Sequence, residues 1–313
     1  MAKPLKPESE ISPENSNYNK RPWLTRARPY MIVAPSLLIT IGIMIPFILA
    51  IFYSLTNYSF RSPVWKFIGL KNWIDAAKSS EFWHAILVTF EYAAATTIPE
   101  MLLGLGIAIM LVRDTKFTKI LRVVLIFPLM IAPVIATLIW QLMTNNSVGI
   151  IEKFLNLFNI YNFTWSSSPK TALFTAALID FWVYCPFVII LIVAGLQSLP
   201  KSPFESSRID GGSAWFTFKN LTLPMLTPYL YIALIFRLMA AMQEFAIIFA
   251  LTKGGPGDTL MNLSITAYNT GFAFLKFGKS LPYILTLWLI INFISKKLVN
   301  NWRKTMKQAS GND

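Results

Sequence analysis

The chain has 313 residues, 55% hydrophobic and only 14% charged, with a mean hydropathy of +0.52 and a formal net charge of +13. Average soluble domains carry roughly a quarter charged residues, so this composition points to lipid rather than to a water-soluble globule. The basic residues are scattered between apolar runs, which argues against nucleic acid as a partner, and one cysteine with one histidine leaves no basis for intrachain disulfides or a transition-metal site.

Residues 1–29 are rich in Pro, Ser, Asn and Lys and read as a disordered tail. Six stretches then meet the requirement of about 20 mainly apolar residues for crossing a ~30 Å hydrocarbon layer. They fall at approximately 31–55, 85–112, 123–144, 171–197, 226–251 and 281–300. The expected fold class is an all-α membrane protein, with a membrane domain over 30–303, a polar loop at 198–225 and a tail at 304–313. The first run is too long for a signal-peptide core and lacks a small-residue cleavage site, so it reads as an uncleaved anchor. With both termini and the loops at 113–122 and 198–226 on one side, that side holds 18 basic residues against 9 on the other. The positive-inside rule makes it the cytoplasmic side, where anionic lipid also favours the charge.

Charged side chains inside spans each cost ~2.5–3.5 kcal/mol on insertion scales and usually face a bundle interior or a wet cavity. His84 falls at a span boundary and reads as interfacial. Glu91 and Glu100 lie in the second span, the latter beside Pro99, and read as polar contacts between helices. In the fourth span Asp180, Val183, Tyr184 and Phe187 recur at i, i+3, i+4, i+7, one helical face. Cys185 beside them reads as packing. In the fifth span Arg237, Ala240, Ala241 and Glu244 have the same spacing. Gln243 either assists a pocket there or bonds a neighbouring helix. Carboxylates, a guanidinium and aromatic faces suit sugar hydroxyls and C–H surfaces, so these two stripes form a candidate substrate pathway. An Asp180–Arg237 ion pair tying the helices together is an equally physical reading, compatible with the first.

Between those spans, Leu199 to Leu226 reads LPKSPFESSRIDGGSAWFTFKNLTLPML. Ser202 and Glu205 have the spacing of a capping box and Pro203 suits the first helical position. A helix is expected to run to about Asp210, where Gly211 and Gly212 give the freedom to turn. Ser213 then caps a second short helix carrying Trp215, Phe216 and Phe218. Helix, turn, helix with exposed aromatics is either a protein docking element or a segment resting on lipid headgroups. Downstream, Gly254-Gly255-Pro256-Gly257 reads as a structured outer turn. Phe277-Gly278-Lys279-Ser280 imitates the end of a phosphate-binding loop without its first glycine or a preceding strand.

The 199–226 segment resembles the cytoplasmic EAA loop of binding-protein-dependent ABC transporter permeases. That family's pattern runs Glu-Ala-Ala, three residues, Gly, then an aromatic-rich helix and Leu-Pro. Glu205, Asp210, Gly211, Phe218, Leu223 and Pro224 match it; Ser206 and Ser207 stand for the two alanines and Gly212 for a usual alanine. Phe67-Ile68-Gly69-Leu70-Lys71-Asn72-Trp73 and Leu251-Thr252-Lys253-Gly254-Gly255-Pro256-Gly257 are similar to the carbohydrate branch, and the Gly-Gly-Pro segment to its maltose-type first permease subunit. Leu281-Pro282 departs from the alanines with which the family's last span more often begins.

The resemblance implies a six-helix importer permease in a bacterial or archaeal plasma membrane, with both termini cytoplasmic. It further implies a second permease subunit, two ATPase subunits and an extracytoplasmic solute-binding protein. Glu205, Ser206, Ser207, Asp210, Gly211 and Gly212 would dock on the ATPase. Asp180, Tyr184, Phe187, Arg237, Ala241 and Glu244 would line the path of a sugar or polyol. The chain itself would be no enzyme and bind no cofactor, with ATP and Mg in the partner ATPase. Glycerol phosphate or another small solute is the alternative substrate. An ion-coupled secondary transporter or an intramembrane enzyme is the alternative class; the first leaves the double-helix loop unexplained, and the second lacks a paired nucleophile and base.

Overall fold

The computed structural model describes residues 23–62, 64–161 and 163–309. The expected tail therefore lies largely outside the described residues, although its last part, from Trp23, is already helical. Leu24, Arg26, Ala27 and Arg28 are good helix formers and extend the apolar helix upstream. The chain divides into two compact units, residues 1–50 and 51–313. The first holds helix α1 (Trp23–Ser54) up to its last turn, and in it Ser36 and Thr40 bond back to carbonyls one turn earlier.

The second unit starts at the last turn of α1. Lys71–Lys78 forms α2, whose buried Asn72 donates from Nδ2 to the carbonyls of Ser54 and Thr56 at 2.9 and 2.7 Å. These are carbonyls that a helix end leaves without intrahelical partners. The Gly-Leu-Lys-Asn-Trp run thus clasps the end of α1, with Trp73 Nε1 donating to Ser54 Oγ at 3.2 Å. Ser80–Leu111 forms α3. A capping box between Thr115 and Thr118 opens α4 (Lys116–Ile126), and Arg122 donates from Nε to the Leu111 carbonyl at the end of α3.

The expected span at 123–144 is not one straight helix. A 3-10 turn at Phe127–Met130 follows α4, and α5 (Pro133–Met143) leaves at 97°. Pro133 explains the break: its ring disfavours helical geometry in the residue before it, and Ala132 sits at φ −59°, ψ 134°. After α6 (Ile150–Asn156) comes α7 (Pro169–Ser198), which packs along α3. Small residues let the two backbones approach, as expected of membrane helices: a Cβ on Gly104 would lie 2.9 Å from Val188 Cγ1.

The polar loop holds α8 (Ser202–Ile209) and α9 (Ala214–Thr217), and a π-turn at Phe218–Thr222 feeds α10 (Leu223–Met242). The expected helix at 226–251 stops at Met242. After Gln243, Glu244 and Phe245 the chain resumes as α11 (Ala246–Thr252). Asn262 caps α12 (Leu263–Tyr268), and α13 (Phe277–Ala309) begins before Leu281-Pro282 and outruns the expected last span at both ends. Among the described residues five helices are long and apolar enough to cross a membrane, or six if the bent α4–α5 pair counts as one. Nearly all of the regular structure among the described residues is helical, apart from isolated bridges at Thr56–Phe67 and Ser59–Ser62. The apolar core falls into three clusters, one joining α3 to α10, α12 and α13, one joining α3 to α7, α11 and α12, and one joining α3 to α7 and α10.

Candidate functional site: a buried ion-pair cluster and an exposed helix pair

Three helices meet at Arg237 of α10. Its Nε pairs with Glu100 Oε2 of α3 and its Nη2 with Asp180 Oδ1 of α7. Tyr92 of α3 donates its hydroxyl to the other Asp180 oxygen at 2.8 Å. The guanidinium carbon lies 4.8 Å from the centroid of the Tyr184 ring, within cation–π range. Glu100 and Asp180 are fully buried and Arg237 nearly so. The planar fork of an arginine is what allows one cation to serve two carboxylates at once. With two carboxylates on one guanidinium, the cluster carries one net negative charge when all three are ionised.

The other expected pathway residues are placed differently. Ala241 is buried in the core with Ala85 and Leu263. Phe187 makes an edge contact with Phe236 at 6.4 Å between centroids. Glu244 lies just past the end of α10, within electrostatic reach of Arg237 and Tyr184, and its Oε1 accepts from Ile247 N at 2.8 Å in the first turn of α11. Its carbonyl accepts from Asn262 Nδ2 at 2.7 Å, while Asn262 Oδ1 takes the Ile265 amide at 2.9 Å. Glu244 and Asn262 together satisfy the backbone that a helix break exposes inside an apolar core. Gln243 bonds within its own helix, to the Met239 carbonyl. Glu91 is exposed, and His84 Nε2 lies 3.0 Å from the Asp258 carbonyl.

Sequence reasoning gave Glu100 a helix-to-helix contact but no partner, and passed over Tyr92 and Asn262. A signal for Tyr92 existed: Thr89, Tyr92, Thr96 and Glu100 recur at helical spacing in an apolar run, and all four are buried.

At the other end of α7 and α10 lies the helix pair. The expected Ser202 capping box does not form. Lys201 is already helical at φ −76°, ψ −30°, its carbonyl receives the Phe204 and Glu205 amides, and Ser202 makes no cap bond. The rest follows expectation: α8 ends at Asp210, Gly211 takes φ +74°, and Ser213 Oγ accepts from Phe216 N to open α9. Glu205, Ser206, Asp210 and Gly211 are exposed, Gly212 is half-buried and Ser207 is buried. Ile209 and Trp215 present large apolar side chains at 86% and 70% exposure. Behind the pair, a groove of about 690 Å³ separates it from the ends of α3 and α7, with Glu205, Arg208 and Thr217 on one wall and Ile109, Val112 and Gln197 on the other. Gly195 of α7 meets Tyr229 of α10 just beyond the loop; a Cβ there would come within 2.7 Å of the tyrosine.

Residues 100–298 match the model of the binding-protein-dependent transport system inner membrane component family. A probable ABC transporter permease of Sinorhizobium fredii is 34% identical over 283 residues, 90% of this chain and 88% of that protein. The trehalose/maltose transport system permease MalF of Thermococcus litoralis is 32% identical over 84% of this chain and 90% of its own. The sn-glycerol-3-phosphate permease UgpA of Pectobacterium atrosepticum is 29% identical over 86% and 90%. In fold, the chain superposes with a TM-score of 0.77 and 19% identity on a bacterial ABC transporter involved in alginate import, over 91% of this chain and 99% of that one. With three helices joined at a buried arginine and a polar helix pair between two of them, this chain belongs to the binding-protein-dependent transport system inner membrane component family, the membrane permeases of ABC importers.

Proposed function

We propose that this chain is one permease subunit of an ATP-driven importer for a sugar or related polyol, working with a second permease, two cytoplasmic ATPase subunits and an extracytoplasmic binding protein. The observation that carries the proposal is the exposed α8–α9 pair, with Ile209 and Trp215 open to a partner and Glu205 in the first turn. Glu205, Ser206, Asp210, Gly211 and Gly212 form its docking face and turn, whereas Ser207, buried behind them, stays clear of the docking surface. The ATP and Mg of the cycle belong to the ATPase. The basic excess at both termini and in the loops at 113–122 and 198–226 supports placing those segments in the cytoplasm of a bacterial or archaeal cell.

The pair sits directly between α7 and α10. At 1.5 Å per residue, Asp180 is about 27 Å from the loop end of α7 and Arg237 about 21 Å from that of α10. Closure of the ATPases on ATP moves the pair, and the two helices carry that motion to the Glu100–Arg237–Asp180 cluster. Opening outward and then, after hydrolysis, inward exposes the path beside Tyr184 and Phe187 in turn. A neutral hydroxylated solute suits this environment better than glycerol phosphate, because the only guanidinium in these spans is already held by two carboxylates. The named relatives include permeases for trehalose/maltose and for starch degradation products, which supports the same substrate class.

Mild-detergent purification of the tagged chain from its own host, followed by mass spectrometry, tests the assembly. Recovery of an ATPase, a second permease and a secreted binding protein is expected. Recovery of the chain alone or as a homo-oligomer rejects it. Thermal-shift screening of that binding protein against sugars and glycerol phosphate then identifies the solute.

A further inference from the structure

Ser207 is the buried residue of α8; Ser202, Glu205, Ser206 and Arg208 around it are exposed. A serine inside a helix commonly bonds back to its own preceding turn, whereas this hydroxyl reaches across the Gly211 turn. It lies 3.0 Å from Thr217 Oγ1, the last residue of α9. The Ser207 carbonyl accepts from Gly212 N at 2.7 Å. A Cβ on Gly212 would fall on the Ser207 hydroxyl and 2.9 Å from its carbonyl. Two of the three places where this loop departs from the family pattern, Ser207 and Gly212, therefore touch each other: the hydroxyl fills the space that the glycine leaves.

The loop has two arms. α8 is joined to α7 through Leu199 to Lys201, and α9 runs on through the π-turn into α10. Between the arms stand Asp210 to Ser213, a turn with one left-handed glycine. We infer that the Ser207–Thr217 hydrogen bond is a positioning contact that locks the two arms into one lever, so that a force on α8 reaches α10 as well as α7. This rests on the coupling role proposed for the loop and goes beyond it, since docking alone requires no bond between the arms.

The test uses the intact complex with its ATPase. Hydrogen–deuterium exchange is followed with and without ATP and vanadate in the parent and in Ser207→Ala, Thr217→Val and Thr217→Ser. A partly buried hydrogen bond changes a local equilibrium by roughly two- to tenfold. Exchange at 210–217 is expected to rise by about that factor in Ser207→Ala and Thr217→Val. In both, the nucleotide-driven change of protection in α10 should shrink while ATPase recovery stays at the parent level. Thr217→Ser, which keeps the hydroxyl, should behave as the parent, and the Ser207→Ala/Thr217→Val double variant should be no worse than the worse single one. An undiminished α10 response in both hydroxyl-deleted variants overturns the lock. If the parent itself shows no nucleotide response in the loop, the coupling role fails instead, and the lock falls with it.

Discussion

Replacing Arg237 by methionine removes the one cation shared by Glu100 and Asp180 and keeps most of the volume. Both carboxylates are fully buried, and of the two only Asp180 retains a hydrogen bond, from Tyr92. Breaking a buried ion pair by deleting one partner costs about 3–5 kcal/mol, because the remaining charge is left without compensation. At roughly 2–4 °C per kcal/mol for a domain of this general size, the melting temperature should fall on the order of 10 °C. Scanning fluorimetry of the purified protein in detergent measures it. The informative comparison is Arg237→Met with Glu100→Gln and Asp180→Asn, which removes all three charges together. The triple variant should recover much of the loss, since a buried ion cluster replaced as a unit is often near neutral. Equal or additive losses across the single and triple variants would refute the view that these three side chains act as one cluster.

Other expected outcomes follow from the local geometry. Gly211→Ala should cost about 1–2 kcal/mol in the loop, because φ +74° is a left-handed conformation strained for any residue with a Cβ; reduced co-purification of the ATPase with unchanged membrane insertion is the readout. Gly195→Ala should lower stability by about 1–3 kcal/mol through overpacking against Tyr229, and Gly195→Ala/Tyr229→Ala should regain part of it in the same melting assay. Asn72→Ala removes two hydrogen bonds to the Ser54 and Thr56 carbonyls and should cost about 1–3 kcal/mol. Its loss should show as faster deuterium exchange in the last turn of α1 and in residues 55–57.

Local rules carried a long way in this chain. The Ser213 cap, the Gly211 turn and the end of α8 depend on a few neighbouring residues, and the sequence displays them directly. The shift of the α8 cap from Ser202 to Lys201 reflects how little separates two adjacent starts when Pro203 suits either. Breaks inside apolar runs were harder to read. Pro133 marked the bend between α4 and α5, but the run around it was apolar enough to pass for one span. Nothing in the spacing of Arg237 and Glu244 announced that α10 stops at Met242, because the break is held by Asn262, 18 residues away from Glu244. The partnership of Glu100 with Arg237 spans 137 residues. Only the packing of α3 against α10 brings them together, and helical periodicity within one span carries no information on that register.

The claim most worth testing is that α8 and α9 dock on a nucleotide-binding subunit rather than rest on lipid. Trp215, 70% exposed, can be replaced by a photoreactive phenylalanine analogue and irradiated in native membranes with and without ATP. The account predicts a covalent adduct between this chain and a protein bearing a phosphate-binding loop, with a yield that changes on ATP binding. Adducts to phospholipid alone, unaffected by nucleotide, would contradict it.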